Sequence, residues 1–237
     1  RISPHGYAKV AVLANSVILV SIVVRFGMIE SFLRFYFTDE DRERRDALAR
    51  RAVGFLLVAT TVAAIPLIAF AGPVSKLVLS HRDTAIFLIA VLGLWSFTNL
   101  ELAYGLLRVD ERLRAYATAS LVNVGLTIAT SLVLVVGFGL GARGLLIGNY
   151  GASTLVLFGV WWTLRDRLRS RGRGAAAAER LAALLRFGLP TVPAEASVYA
   201  LSVVDRLYIV HERSLRLAGL YSIAVKFAGA VAFIVRA

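Results

Sequence analysis

Runs of about 20 apolar residues alternate with short charged connections along the whole chain, the pattern of a polytopic membrane protein. Stretches long enough to cross a bilayer fall at about 9–33, 52–72, 84–107, 115–137, 142–164, 187–210 and 217–236. Arg25 and Glu30 interrupt the first. Pro66 sits inside the second, where a kink rather than a break is expected, because a neighbouring helix or water can re-satisfy the freed carbonyl. The expected fold class is all-α: a polytopic membrane helical bundle of about seven transmembrane helices.

The charges inside these stretches are harder to explain than the apolar residues. In hydrocarbon each ionised side chain costs a few kcal/mol, so such groups belong in a bundle interior or a wet cavity. Read as a helix from about Pro190, the sixth stretch spaces Glu195, Tyr199, Ser202 and Arg206 by four, three and four residues, which makes one polar stripe. Asp205 stands beside Arg206, and a gating ion pair competes there with anchoring near the outer end of the helix. Lys226 lies in mid-span, where a function is favoured. Pro190 and Pro193 stand in the first turns, where a missing N–H costs least, and three residues apart they also make a plausible hinge.

Arg25 lies about two-thirds of the way across the first stretch, one turn beyond Ser21. It reads as an anion-binding guanidinium or as a side chain snorkelling to the interface. Glu30 and Arg34, four apart, are expected to pair with each other. In the third stretch Phe97, Glu101, Tyr104 and Arg108 share a face. Glu101 is a proton or cation site, or else a carboxylate neutralised by Arg108 or by Arg25. Tyr116, Ser120, Asn123 and Thr127 form a stripe of the kind that glues transmembrane helices together. Trp161 and Trp162 beside Arg165 read as an interfacial belt.

Composition narrows the class. With 58% hydrophobic and 18% charged residues and a mean hydropathy of +0.73, the chain is neither a soluble domain nor a disordered one. Without cysteine there is no disulfide framework and no thiolate metal site, and three scattered histidines, His5, His81 and His211, imply no metal site either. The net charge of +12 raises nucleic acid as a partner. The arginines, however, sit in the connections: fifteen after the first, third and fifth stretches, against five Lys or Arg on the other side, which orientation in a membrane explains. The arginine-rich side is therefore assigned to the cytoplasm, and nucleic-acid binding is not expected. The opposite connections, about 73–83, 138–141 and 211–216, leave no room for an extracytoplasmic domain. The connection 165–186 is the longest and reads as a linker, with 175–186 as a short amphipathic helix on the membrane face. The chain opens at Arg1 and ends within an apolar run, so further helices are expected on both sides.

Several short motifs, in order, resemble a known family. They are Ser3-Pro4-His5-Gly6-Tyr7 before the first stretch, Leu33-Arg34-Phe35-Tyr36 at its end, and Arg186-Phe187-Gly188-Leu189-Pro190 opening the sixth. Asp205-Arg206-Leu207 and then Ala218-Gly219-Leu220-Tyr221-Ser222 with Lys226 complete the set. Together they resemble polysaccharide flippases, in particular the Wzx-type transporters of lipid-linked O-antigen oligosaccharide in the multidrug/oligosaccharidyl-lipid/polysaccharide exporter superfamily. His5 stands where the family often has an acid. The resemblance implies two six-helix lobes around a central cavity in a bacterial or archaeal inner membrane. A polyprenyl-diphosphate-linked oligosaccharide would move from inner to outer leaflet by alternating access, with no cofactor, and with membrane lipids and a polysaccharide polymerase as partners. On that alignment 1–164 holds first-lobe helices without the first of them, 165–186 is the cytoplasmic inter-lobe linker, and 187–237 starts the second lobe.

A diphosphate crossing hydrocarbon needs a cationic lining, which Arg25, Arg206 and Lys226 are expected to supply by pointing into one cavity with Tyr199 and Ser202. Glu101, Glu195 and Asp205 would couple an ion or gate release. A drug/cation antiporter of the same superfamily would use an acid-dominated pocket, whereas here embedded bases match or outnumber acids. A lipid II-type flippase shares the fold. A membrane glycosyltransferase or polymerase would need larger loops, so the chain is not read as an enzyme.

Overall fold

The computed structural model describes residues 3–38, 41–169 and 177–236, all in helices and short connections. Ser3 caps the first helix, α1 (Pro4–Val24), by accepting from the Gly6 amide at 3.1 Å, and Pro4 occupies its first turn, where no amide is needed. α1 stops at Arg25, and α2 (Met28–Tyr36) follows after a sharp turn. The first predicted span is thus two helices. Phe26 and Gly27 sit at φ 49° and 65°, a left-handed pair that no continuous helix accommodates. Next come α3 (Arg42–Ala69), α4 (Ala71–Leu79), α5 (Thr84–Val109) and α6 (Leu113–Leu132), the last ending in a π turn at Val133–Gly137. α7 (Gly141–Arg169), α8 (Ala177–Gly188), α9 (Thr191–Glu212) and α10 (Leu215–Arg236) complete the order. Pro66 stays within α3, and the helix yields four residues later at Phe70, where α4 begins.

Among the described residues, five segments are long and apolar enough to cross a membrane: His5–Val24, Arg42–Ala69, Thr84–Val109, Leu113–Gly137 and Gly141–Leu168. α9 is no shorter than these need to be, since 22 residues rise about 33 Å. It departs in composition, carrying Glu195, Asp205, Arg206 and Glu212. The chain is an all-α membrane bundle.

Two side-chain bonds mark the ends of the bundle. Lys9 donates to Asp83 at 2.8 Å, and Tyr36 donates to Asp110 at 2.8 Å. Lys9 to Tyr36 and Asp83 to Asp110 are each 27 residues (36 − 9 and 110 − 83), so α1 with α2 runs parallel to α5 for roughly 40 Å. The Tyr36 end is the arginine-rich one.

At the other end Arg143 joins Lys9 on Asp83 at 3.3 Å, tying α1, α5 and α7 together. Burial pushes the Asp83 carboxyl up. The hydrogen bond and charge of Lys9, the Ile86 amide and the Arg143 charge outweigh that and hold it below its ordinary value of 3.8. A carboxyl depressed on folding stabilises the fold above its unfolded value and loses that contribution as pH falls through the folded value. Asp83→Asn is therefore expected to lower the melting midpoint in detergent by about 2–4 °C at pH 7, as loss of ~1 kcal/mol does in a chain of this size. The gap should narrow as the pH drops below about 4. Melting curves of both proteins across pH check this.

Two apolar cores stack along the bundle. Met28, Phe32, Leu56, Leu106, Leu157 and Leu164 fill the arginine-rich half, and Val12, Leu13, Leu79, Ile86, Leu94 and Leu146 fill the other. α8 is the short helix expected near 175–186, but it does not lie free on a membrane face. Leu184 is buried in the first core, and Ser31 of α2 donates to the Leu184 carbonyl at 2.7 Å. Trp161 likewise leaves the interfacial belt and packs edge-on to Trp95. Trp162 stays exposed under the Arg165 guanidinium.

Candidate functional site

Between the two cores lies a polar stratum. Ser21, Thr60, Ser96, Thr98, Asn99 and Ser153 are all buried there. Thr98 donates to Ser21 at 2.9 Å and Asn99 to Thr60 at 3.1 Å, so hydroxyls and an amide bridge α1, α3 and α5 where apolar side chains would otherwise meet. Such groups are cheap in hydrocarbon only when paired, and these are. Of these, only Ser21 stands out in the sequence, one turn before Arg25. A usable signal exists: Thr60 follows Arg51 by nine residues and Asn99 precedes Arg108 by nine, so both fall at one depth below the charged end.

Arg25 caps α1 at the same level, 16 residues and about 24 Å from Lys9. It is 7% exposed. One terminal nitrogen of its guanidinium is bound by the Glu195 carboxylate of α9 and lies 3.7 Å from Glu30 of α2. Glu30 thus does not pair with Arg34, whose guanidinium sits 4.5 Å from the centre of the Phe187 ring. Helix geometry decides this, since the break at Phe26 and Gly27 turns the first residues of α2 back toward Arg25. Arg25 Nε and Glu30 Oε2 are buried with no hydrogen-bond partner among the described residues. A buried guanidinium with an unused N–H is costly unless something else binds it at another stage.

The backbone beside this cluster is equally tight. A Cβ on Gly27 would stand 2.1 Å from the Gly188 carbonyl oxygen, and one on Gly188 would stand 2.6 Å from the carbonyl oxygens of Phe26 and Gly27. The turn between α1 and α2 therefore rests directly on the end of α8, two residues before Pro190 caps α9.

The other expected site residues are placed elsewhere. Arg206 is buried 11 residues further along α9, where its Nε donates to Ser222 of α10 at 3.2 Å. Asp205 is exposed and accepts from Tyr221 at 3.2 Å, so the adjacent acid and base face different neighbours. The Lys226 ammonium stands 5.4 Å from the centre of the Tyr7 ring, a cation–π distance. Tyr199 is exposed, and the Ser202 side chain lies outside the described residues. Arg25, Arg206 and Lys226 do not converge: Arg25 occupies the stratum, and the other two sit toward the Lys9 end. Glu101 is half-buried near the depth of Arg25. Its expected neutraliser, Arg108, instead lies 5.6 Å from the Tyr116 ring centre, and Arg25 is taken by Glu195.

A cavity of about 820 Å³ opens at the arginine-rich end, lined by Tyr36, Arg42, Arg45, Asp46, Asp110 and Arg167 among others. Arg167 of α7 is bound by both oxygens of Asp110, and its Nε reaches Asp46 of α3 at 2.6 Å. Burial and the Asp110 hydrogen bond raise the Tyr36 phenol above its ordinary value. None of the expected site residues lines this cavity. It is a charged mouth below the stratum.

An all-α bundle with five segments able to cross a membrane, and a buried polar layer between its two apolar cores, defines a multi-pass membrane protein. The sequence matches the polysaccharide biosynthesis protein family over residues 1–236, and the chain belongs to that family, whose members are generally transporters rather than enzymes. Comparison with curated proteins and with solved structures returned no match.

Proposed function

We propose that the protein moves a polyprenyl-diphosphate-linked oligosaccharide from the inner to the outer leaflet by alternating access, for synthesis of a cell-surface polysaccharide. The observation that carries the reading is Arg25: a buried guanidinium at mid-depth, shared between two carboxylates and with one N–H unused. A diphosphate presents several oxygens in the geometry that suits a guanidinium fork. By replacing Glu195 on Arg25, it would cut the ion pair joining α1 to α9. On the two-lobe reading, with 1–164 in the first lobe and 187–237 opening the second, that pair is a clasp between lobes, and cargo releases it. The arginine-rich end faces the cytoplasm, so its cavity is where the headgroup enters. Arg206 and Lys226 then take the anion on its way out, with Tyr199 and Ser202 on the same helix face. Glu101, Glu195 and Asp205 couple or gate the movement. A proton on Glu195 would have the same effect as cargo, freeing the guanidinium.

One observation favours a second reading. Within the stratum Glu30, Glu101 and Glu195 outnumber Arg25, the balance a drug/cation antiporter of the superfamily would use. Family membership favours the anionic cargo.

The test is a leaflet-resolved assay of lipid-linked oligosaccharide in cells lacking the protein and re-expressing full-length variants. Arg25→Ala is expected to abolish export and leave the intermediate in the cytoplasmic leaflet, with protein still in the membrane. Arg25→Lys, which keeps the charge but not the fork, should restore only part. Wild-type export by Arg25→Ala, or loss of dye extrusion with oligosaccharide unaffected, would sink the reading.

A further inference from the structure

A second cavity, of about 480 Å³, runs between α6 and α7 on the outside of the bundle. Its walls are Ala115, Thr118 and Val122 on one side and Leu155 and Gly159 on the other, with Leu107 of α5 at the floor. Small residues make the groove: a Cβ at Gly159 would meet nothing within 4 Å. Arg114 lines it in the first turn of α6, at the arginine-rich end. From Arg114 the groove reaches Leu126, twelve residues or about 18 Å, which is roughly half the ~30 Å of hydrocarbon and so one leaflet. Arg114 is exposed and takes part in none of the ion pairs among the described residues. α6 turns most of its surface outward, since only 11% of its apolar window is buried by protein.

We infer that this groove binds one anionic glycerophospholipid of the leaflet at the arginine-rich end, its phosphate on Arg114 and one acyl chain laid between α6 and α7. The free guanidinium selects an anionic headgroup, and the leaflet-length apolar trough receives a single chain. The cargo is not the occupant. α6 packs against α5 and α7, whereas the Arg25 partner Glu195 is on α9, which packs against α1. A diphosphate on Arg25 would have to send its tail around the bundle to reach this face. The bound lipid fills the groove between α6 and α7 and covers apolar surface of α6, the least buried of the five spans.

Native mass spectrometry of the purified full-length protein, supplied with phosphatidylglycerol or with phosphatidylcholine of the same chains, tests this. One phosphatidylglycerol should be retained in preference to phosphatidylcholine and should raise the melting midpoint. Arg114→Gln should weaken that retention about fivefold, the factor one arginine near an anionic surface is worth. Gly159→Leu, whose Cβ meets nothing within 4 Å and whose branch projects into the groove, should abolish retention while the protein stays folded. Equal retention of the two lipids by wild type, or undiminished phosphatidylglycerol binding by Gly159→Leu, overturns the assignment. So does displacement of phosphatidylglycerol from the groove by polyprenyl diphosphate, which would give the trough to the cargo and leave the transport reading standing.

Discussion

Arg167→Leu is expected to destabilise the bundle by about 3 kcal/mol, the lower end of what breaking a buried ion pair costs. The guanidinium is 12% exposed and joins four elements: its own α7, Asp110 after α5, Asp46 of α3 and, at 3.4 Å, the Tyr36 hydroxyl of α2. Removing it leaves two carboxylates facing a phenol in a partly buried mouth, each stripped of its charge partner. The cavity beside them admits water, which keeps the cost at the lower end. Two further variants separate the lost pair from lost packing. Asp110→Asn added to Arg167→Leu should recover part of the stability, because the stranded charge is then gone. Arg167→Lys should rescue little, since a single ammonium cannot hold Asp46 and both oxygens of Asp110. Melting midpoints of the three proteins in detergent decide this, and an Arg167→Leu protein as stable as wild type would show that the network only decorates the surface.

That hub was invisible in the sequence for a physical reason. Arg167, Asp110, Asp46 and Tyr36 lie in charge-dense connections, where an arginine is already accounted for by membrane orientation, and their partners are 57 to 131 residues away. Spans are legible because crossing hydrocarbon demands a local run of apolar residues. The stretches at 84–107, 115–137 and 142–164 accordingly reappear within single segments. A helix break carries a weaker signature. Arg25 and Glu30 marked the interruption of the first span, but the turn itself depends on a left-handed Phe26 that no propensity favours. The clasp was half legible. Arg25 and Glu195 each stand out as a charge within an apolar stretch, and only the packing of α9 on α1 shows that they answer one another. The assignment of Glu30 to Arg34 failed because i, i+4 spacing offers a partner only when nothing closer competes.

Gly188→Ala is expected to uncouple α8 and α9 from α1 and α2 and to stop transport. The added Cβ would meet the carbonyl oxygens of Phe26 and Gly27 at 2.6 Å, and backbone has no rotamer by which to withdraw. The helices must part, and what they carry parts with them: the Ser31 bond to Leu184, and then the Arg25–Glu195 pair, which begins less than two turns along α9. Gly27→Ala should be worse, because it adds the cost of a left-handed alanine, about 1 kcal/mol, to a Cβ only 2.1 Å from the Gly188 carbonyl oxygen. Gly54→Ala is the control. Nothing lies within 4 Å of a Cβ there, and alanine in a helix interior is neutral to slightly stabilising. The chain contains no cysteine, so spin labels at Phe37→Cys and Leu189→Cys, both exposed positions, report the contact directly. In Gly188→Ala the distance distribution should lengthen and broaden while the protein still inserts. An unchanged distribution together with normal export would mean that the two turns merely touch. On the proposed transport cycle, the Arg25–Glu195 pair would then have to open against a contact that does not move with it.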